Sequence, residues 1–246
     1  MTTSGIFVCG SPFAETALLS WSLDRHEALS AGPESRFLYQ LFGKSSGLNV
    51  PYLYDIYGRC TTGHTWLEAK GISYPLFAKY LGLGIAEMFN SFSAKARWVE
   101  SSPENALFID ELAYIFPHAV FIVVQESADY VVHSTLARNP KPSDDDLRKG
   151  LDQWVHYRKA VNSVIDRRAD RIVLVSQDKL LTNTAETVRE ILDFVGENFS
   201  EDVVKFFEQK PLKCGLRIDN YREQKLPNLQ KKIINLLSEY EVDSEI

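Results

Sequence analysis

Residues Ala119–Arg138 have the sequence AVFIVVQESADYVVHSTLAR, and this stretch decides which fold the chain is expected to adopt. Its first six residues, Ala119 to Val124, form an apolar run rich in β-branched side chains, which is typical of a strand buried on both faces. A polar turn, Gln125 to Ser127, follows. From Ala128 the apolar residues recur every three or four positions, so the stretch predicts a strand, a turn and an amphipathic helix.

Three further short segments are strand candidates, and helical patterns separate them: the apolar runs Ile6–Cys9 and Ile172–Val175, and the brief segment Arg97–Glu100. Strands that alternate with helices form parallel βαβ units with right-handed crossovers. The predicted fold class is therefore α/β, with three α/β/α layers around a parallel sheet. We expect a single domain over residues 1–246, with a helical C-terminal part, residues 200–246, packed on it.

Local signals place several helices. Ser102 and Pro103 predict a cap and a first turn, and Ser143 with Asp146 predicts a capping box for a long helix to about Arg168. Gly196 predicts the end of a helix that begins near Thr184. The apolar and aromatic stretch from Pro75 to Phe92 predicts a buried helix.

Composition narrows the class of protein. With 246 residues, a net charge of −6 and 45% hydrophobic residues, the chain has the profile of an ordinary globular protein and no basic surface for nucleic acid. Cys9, Cys60 and Cys214 are widely spaced and lack a metal-binding pattern, so we expect neither a zinc site nor a disulfide framework. No leader pattern or membrane-length apolar run occurs, which predicts a cytoplasmic protein.

A second strand–turn–helix pattern opens the chain. Ile6–Cys9 is followed by Gly10, Ser11 and Pro12, and then by a segment with helical periodicity. Glycine permits unusual backbone angles and proline suits the first turn of a helix. The turn lacks the GxxxxGK[ST] pattern of nucleotide kinases. In a parallel sheet this turn and the one after Val124 end at the same edge, where helix amino ends favour anions.

Six segments in sequence resemble motifs of the sulfotransferase family, most closely its bacterial and tyrosylprotein-type branch. That family has GSPRSGTT, HP…GE, WxxKTP, RDPRDVVxS, YEDL with a later FLG, and RYR…L. The corresponding segments here are GSPFAETA (Gly10–Ala17), HE…GPE (His26–Glu34), WVESSP (Trp98–Pro103), QESADYVVHS (Gln125–Ser134), SQDKL (Ser176–Leu180) with ILDFVG (Ile191–Gly196), and NYREQKL (Asn220–Leu226).

The resemblance implies a P-loop-related fold and sulfuryl transfer from 3′-phosphoadenosine 5′-phosphosulfate to a hydroxyl group of a small-molecule or glycan acceptor. It makes Glu34 the candidate base, and it implies no metal. By the same resemblance the donor is held by Gly10, Ser11, Pro12, Thr16, Ser134 and Arg222. Such a reaction needs in-line positioning and neutralisation of charge on the equatorial oxygens.

The chain departs from the family at charged positions. Phe13, Ser101, Gln125 and Ala128 replace four cations of the motifs, and Glu15 adds a carboxylate at a helix amino end. Each lost charge-assisted hydrogen bond is worth about 1.5–3 kcal/mol. Two alternatives to sulfuryl transfer from this donor follow: a group transferase with a less anionic donor, and a non-catalytic binding or scaffold member of the family.

Each candidate residue also has a purely structural alternative. Ser11 and Thr16 are suited to capping the first helix, and Ser134 to bonding back to its own helix. Glu34 is suited to an exposed ion pair with Arg36, and Arg222 to a solvated surface.

Overall fold

The computed structural model describes residues 5–36, 38, 54, 66–137, 139, 143–209 and 229–240. In this part of the chain one parallel sheet has the strand order β2-β3-β1-β4-β5. The strands are β1 (Ile6–Gly10), β2 (Leu29–Ala31), β3 (Arg97–Glu100), β4 (Val120–Gln125) and β5 (Ile172–Ser176). The sheet confirms the predicted α/β class.

Helices connect the strands and cover both faces of the sheet. They are α1 (Thr16–Leu23), α2 (Trp66–Ala69), α3 (Tyr74–Phe92), a 3₁₀ helix (Pro103–Leu107), α4 (Ile109–Ile115), α5 (Ala128–Ala137), α6 (Asp144–Ile165), α7 (Gln177–Thr182), α8 (Thr184–Val195), α9 (Glu201–Gln209) and α10 (Leu229–Leu237).

The alternation of side chains along β1 divides the core into two layers. Phe7 and Cys9 pack with α3, α4 and α6 on one face of the sheet. Ile6 and Val8 pack with α1, α8 and α9 on the other face. Because all four side chains are fully buried, β1 is covered on both sides, as a central parallel strand should be. A third cluster joins α5, α6 and α10, where Ile233 and Leu237 are buried.

Two of the predicted helix-end signals are confirmed in the structure. The Ser143 hydroxyl accepts a hydrogen bond from the Asp146 amide at 3.3 Å, and Asp146 accepts from the Ser143 amide at 2.9 Å, which completes the predicted capping box of α6. Gly196 ends α8 with φ 78°, in the left-handed region that glycine favours.

Two expectations about the elements were wrong. The sheet contains β2, a three-residue strand that was not predicted. Its sequence, Leu-Ser-Ala, has no strand pattern, and the strand forms by pairing with β3. The segment from Pro75 to Phe92 is helical but not buried, since Phe92 is 87% exposed and Met88 44%. A helix packed on a sheet by one face leaves its other residues in solvent, whatever their polarity.

The structure bears only in part on the predictions about membrane spans, cysteines and domain organisation. Among the described helices, none has the length and hydropathy that crossing a bilayer requires. Cys9 is buried, and burial raises the pKa of its thiol; Cys60 and Cys214 fall outside the described residues. The single-domain organisation of residues 1–246 stays a prediction.

Candidate functional site

The turns after β1 and β4 lie side by side. These two strands are parallel neighbours, and Gly10 at the end of β1 is in register with Val124. A Cβ atom on Gly10 would lie 2.5 Å from the Val124 carbonyl oxygen, so glycine is required for this close approach. We call residues 11–15, between β1 and α1, the first loop. It lies at the edge of the sheet where the sequence predicted that helix amino ends favour anions, and we call the space between the two turns the crevice.

Several amides of the first loop already have acceptors within the protein. The Phe13 amide donates to Ser11 Oγ at 3.3 Å, and the Ala14 amide donates to the Ser11 carbonyl at 3.0 Å. The Glu15 amide donates to Gln177 Oε1 of α7 at 2.9 Å. Glu15 stands at the N-cap position of α1 without a side-chain capping bond. Ser11 therefore stabilises the loop. It does not cap α1, although capping was the structural alternative predicted for it.

Helix α5 contacts the first loop through Tyr130. The Tyr130 hydroxyl donates to Glu15 Oε1 at 3.5 Å. Burial, and then the charges of Glu15 and Glu126, raise the pKa of this phenol. Ser134 lies one turn further along α5 on the same face, and it is buried. Its hydroxyl makes no hydrogen bond to another described residue, so the predicted bond back to its own helix is not formed.

Glu126 follows β4 and lines a small, partly open cavity beside the first loop. The cavity has a volume of about 20 Å³ and is bordered by Ser11, Trp154, Tyr157 and Arg158 among other residues. Burial raises the pKa of the Glu126 carboxyl to about 7, against the opposing effects of the Ser11 hydroxyl and the Arg158 charge. Trp154 Nε1 donates to the Glu126 carbonyl at 3.0 Å and fixes α6 against this turn.

Arg158 is a cation that motif reasoning missed. It lies in the middle of α6, one turn after Trp154, and its guanidinium carbon is 5.9 Å from the centroid of the Trp154 ring. The helical spacing of Trp154 and Arg158 was visible in the sequence. Nothing in the sequence, however, showed which face of α6 meets the turn after β4.

Glu34 lies on the loop after β2, where it is paired with a cation. Arg36 Nη2 is 2.9 Å from Glu34 Oε2, and the two side chains are 62% and 27% exposed. This ion pair confirms the structural alternative predicted for Glu34. The role of Glu34 as a base stays a prediction.

A buried carboxylate, Glu100, anchors the Glu34 loop to the end of β3. Glu100 Oε1 accepts from Ser35 Oγ at 2.8 Å and from Ser102 Oγ at 2.6 Å, and Asn105 Nδ2 also donates to this carboxylate. The Ser102 hydroxyl in turn accepts from the Arg36 amide at 2.8 Å. Ser102 precedes the 3₁₀ helix as predicted, but its hydroxyl makes these bonds instead of capping that helix.

The structure brings some of the predicted site residues together. Gly10, Ser11, Pro12 and Thr16 belong to the end of β1, the first loop and the start of α1, and Ser134 lies on the α5 face that meets this loop. Arg222 falls outside the described residues. Within the described residues, no group of three His, Cys, Asp or Glu side chains is arranged to hold a metal ion.

Comparisons with known proteins agree with this architecture. The model of the Sulfotransferase family matches residues 5–201. Protein-tyrosine sulfotransferase 1 of Danio rerio is 22% identical over 203 residues, which are 81% of this chain but only 55% of that protein. The chain thus spans about half the length of this curated relative.

Solved structures share the fold. The sulfotransferase domain from the Synechococcus PCC 7002 olefin synthase has a TM-score of 0.63 and 18% identity, covering 98% of this chain and 95% of that one. Mouse sulfotransferase SULT7A1, complexed with PAP, has a TM-score of 0.55 and 11% identity, covering 99% and 85%. With the strand order and the family match over residues 5–201, these likenesses lead to one conclusion: the chain belongs to the sulfotransferase family.

Proposed function

We propose that this protein transfers a sulfuryl group from 3′-phosphoadenosine 5′-phosphosulfate to a hydroxyl acceptor. Ser11 and Pro12 of the first loop, with the flanking Gly10 and Thr16, hold the phosphosulfate end of the donor. Ser134 holds its 3′-phosphate, with Arg222. Glu34 takes the proton of the acceptor hydroxyl.

The observation that carries the proposal is the junction of the first loop with α5. Tyr130 contacts Glu15 across this junction, and Ser134 is buried one turn along the same helix face with a hydroxyl that no described residue engages. A hydroxyl in that position is available to a phosphate oxygen. Family membership and the PAP complex of the mouse relative support a nucleotide at such a site.

Charge at the crevice supports a second candidate, transfer from a less anionic donor. Glu15 and Glu126 both lie at the crevice, and the amides of Phe13, Ala14 and Glu15 have internal acceptors. An anion at a helix amino end gains stability from free amides and loses it beside a carboxylate. Among the described lining residues of the cavity, Arg158 carries a compensating positive charge.

Titration calorimetry with adenosine 3′,5′-bisphosphate (PAP) tests the proposal. We expect measurable binding by the wild type and a loss of about 10- to 100-fold in Ser134→Ala, because a hydrogen bond to a charged group is worth about 1.5–3 kcal/mol. Ser163→Ala, an exposed serine of α6, is the matched control and should bind like the wild type. Absence of heat at millimolar PAP contradicts the proposal and favours the second candidate.

Turnover needs its own measurement. Incubation with 35S-labelled donor and a panel of hydroxyl acceptors should give labelled product. Glu34→Gln should lower kcat while leaving PAP affinity unchanged, since the base acts on the acceptor. A protein that binds PAP but labels no acceptor would support a non-catalytic binding role.

A further inference from the structure

A buried carboxyl beside the first loop has an unused hydrogen-bonding atom. Glu126 is 9% exposed, and its Oε2 has no hydrogen-bond partner among the described residues. Unpaired buried polar atoms are rare in native proteins and each calls for an explanation. Glu126 lines the cavity next to Ser11. Its Oε2 is closed to solvent, so a ligand atom in the cavity becomes the missing partner once the carboxyl turns towards it.

Groups from several elements face this carboxyl. Arg158 and Tyr157 reach the cavity from α6, and Tyr130 of α5 interacts electrostatically with both Glu126 and Glu15. Strand β4 and the 3₁₀ helix contribute Gln125 and Ala106 to the lining, neither of which titrates. Among the described lining residues, Arg158 therefore supplies the positive charge at the cavity, while an ionised Glu126 would oppose any anion that approached the first loop.

We propose that this cavity takes one oxygen of a sulfate or phosphate group, that protonated Glu126 donates a hydrogen bond to it, and that Arg158 supplies the balancing charge. Anion binding is then coupled to uptake of one proton, which passes from solvent to the Glu126 carboxylate. A cavity of about 20 Å³ has room for one oxygen-sized group, so the rest of the anion lies outside it. Binding of an inorganic anion at this cavity does not depend on the proposed function. The inference rests on that function only where it takes the anion to be part of the nucleotide donor.

The pH dependence of sulfate affinity follows from the protonation of Glu126. A carboxyl with a pKa of about 7 is mostly protonated at pH 6 and only a few per cent protonated at pH 8.5. If only the protonated form binds, sulfate affinity falls about 30-fold between these pH values. Sulfate keeps one charge state over this range, so the change reports on the protein.

Calorimetric titration of the full chain with sodium sulfate tests this at both pH values. Wild type should lose about 30-fold in affinity from pH 6 to pH 8.5. Glu126→Gln, whose amide donates at every pH, should show no such loss and should exceed the wild type at pH 8.5. Arg158→Gln should bind weakly at both. The control Glu208→Gln removes an exposed carboxylate of α9 and should follow the wild type.

Several results overturn the proposal: no sulfate binding at pH 6, a pH-independent wild type, a pH slope retained in Glu126→Gln, or normal affinity in Arg158→Gln. If Glu126→Gln does not fold, carboxyl 13C NMR on the wild type decides. Saturating sulfate should then raise the pKa of Glu126, and an unchanged pKa refutes the coupling.

A parallel titration with PAP separates this inference from the proposed function. Sulfate binding that takes up a proton, without PAP binding, supports the cavity site and contradicts the nucleotide donor. PAP binding without coupling to Glu126 supports the donor and overturns the inference. Coupled binding of both ligands assigns the cavity to a phosphate group of the nucleotide.

Discussion

Ser102→Ala should destabilise the fold by detaching the Glu34 loop from β3. The hydroxyl is fully buried, donates to Glu100 Oε1 at 2.6 Å and accepts from the Arg36 amide at 2.8 Å. Losing a donor to a buried carboxylate costs about 1.5–3 kcal/mol, and leaving an amide without its acceptor costs about 1–3 kcal/mol. Because Glu100 keeps Ser35 and Asn105 as donors and the loop can relax towards water, we expect a net loss of about 2–4 kcal/mol.

Urea denaturation followed by circular dichroism measures this loss as a lower free energy of unfolding. Ser101→Ala is the matched control, because Ser101 is equally buried but its hydroxyl has no hydrogen bond to another described residue. It should cost less than about 1 kcal/mol. Hydrogen exchange gives a local measure, since the Arg36 amide should exchange faster in Ser102→Ala alone. Equal losses in the two variants, or an unchanged Arg36 exchange rate, would refute the reasoning.

Three further predictions concern the sheet and the cavity. Gly10→Ala should lower the free energy of unfolding by about 1–3 kcal/mol and lower Tm, because the new Cβ would press against the Val124 carbonyl. The control Gly84→Ala, which has open space around it, should not lower Tm. Equal shifts in Tm would contradict this reasoning. Arg171→Lys should lower the free energy of unfolding in urea titrations by about 2 kcal/mol, because the guanidinium donates to three backbone carbonyls before β4 and an ammonium cannot reach all of them. A loss under about 0.5 kcal/mol would contradict this prediction. Burial raises the pKa of Glu126 from 4.5 to about 7, so the native state binds its proton more tightly than the unfolded chain, and the free energy of unfolding should fall by about 3 kcal/mol as pH rises from about 4.5 to above 7. This fall should be absent in Glu126→Gln, and its persistence there would assign it to another group.

Much of the fold was predictable because its signals are local. The apolar runs of β1, β4 and β5 and the brief segment of β3 are each contiguous in sequence, and both the capping box of α6 and the glycine after α8 act within a few residues. Strand β2 escaped prediction because three residues carry too little pattern, and its pairing with β3 creates it. The exposure of Met88 on α3 likewise depends on which helix face meets the sheet.

The candidate site was also predictable only in part. The resemblance to family motifs made Ser11, Thr16 and Ser134 candidates, because each lies within a short segment whose pattern is continuous. Their roles stay predictions. The position of Glu126 after β4 was also visible, but its burial and its cation were not. Trp154 lies 28 residues away in sequence and Arg158 one helical turn beyond it, so only the packing of α6 against the turn brings them to Glu126.

The sequence by itself determined the parallel α/β architecture and the family, because alternating apolar runs and ordered short motifs are properties of neighbouring residues. Only the tertiary structure decided what surrounds the crevice: which amides of the first loop are already bonded, that Glu100 holds the Glu34 loop, and that Arg158 lies at the Glu126 cavity. These are contacts between distant segments, and the burial that sets their strength exists only after the layers have packed.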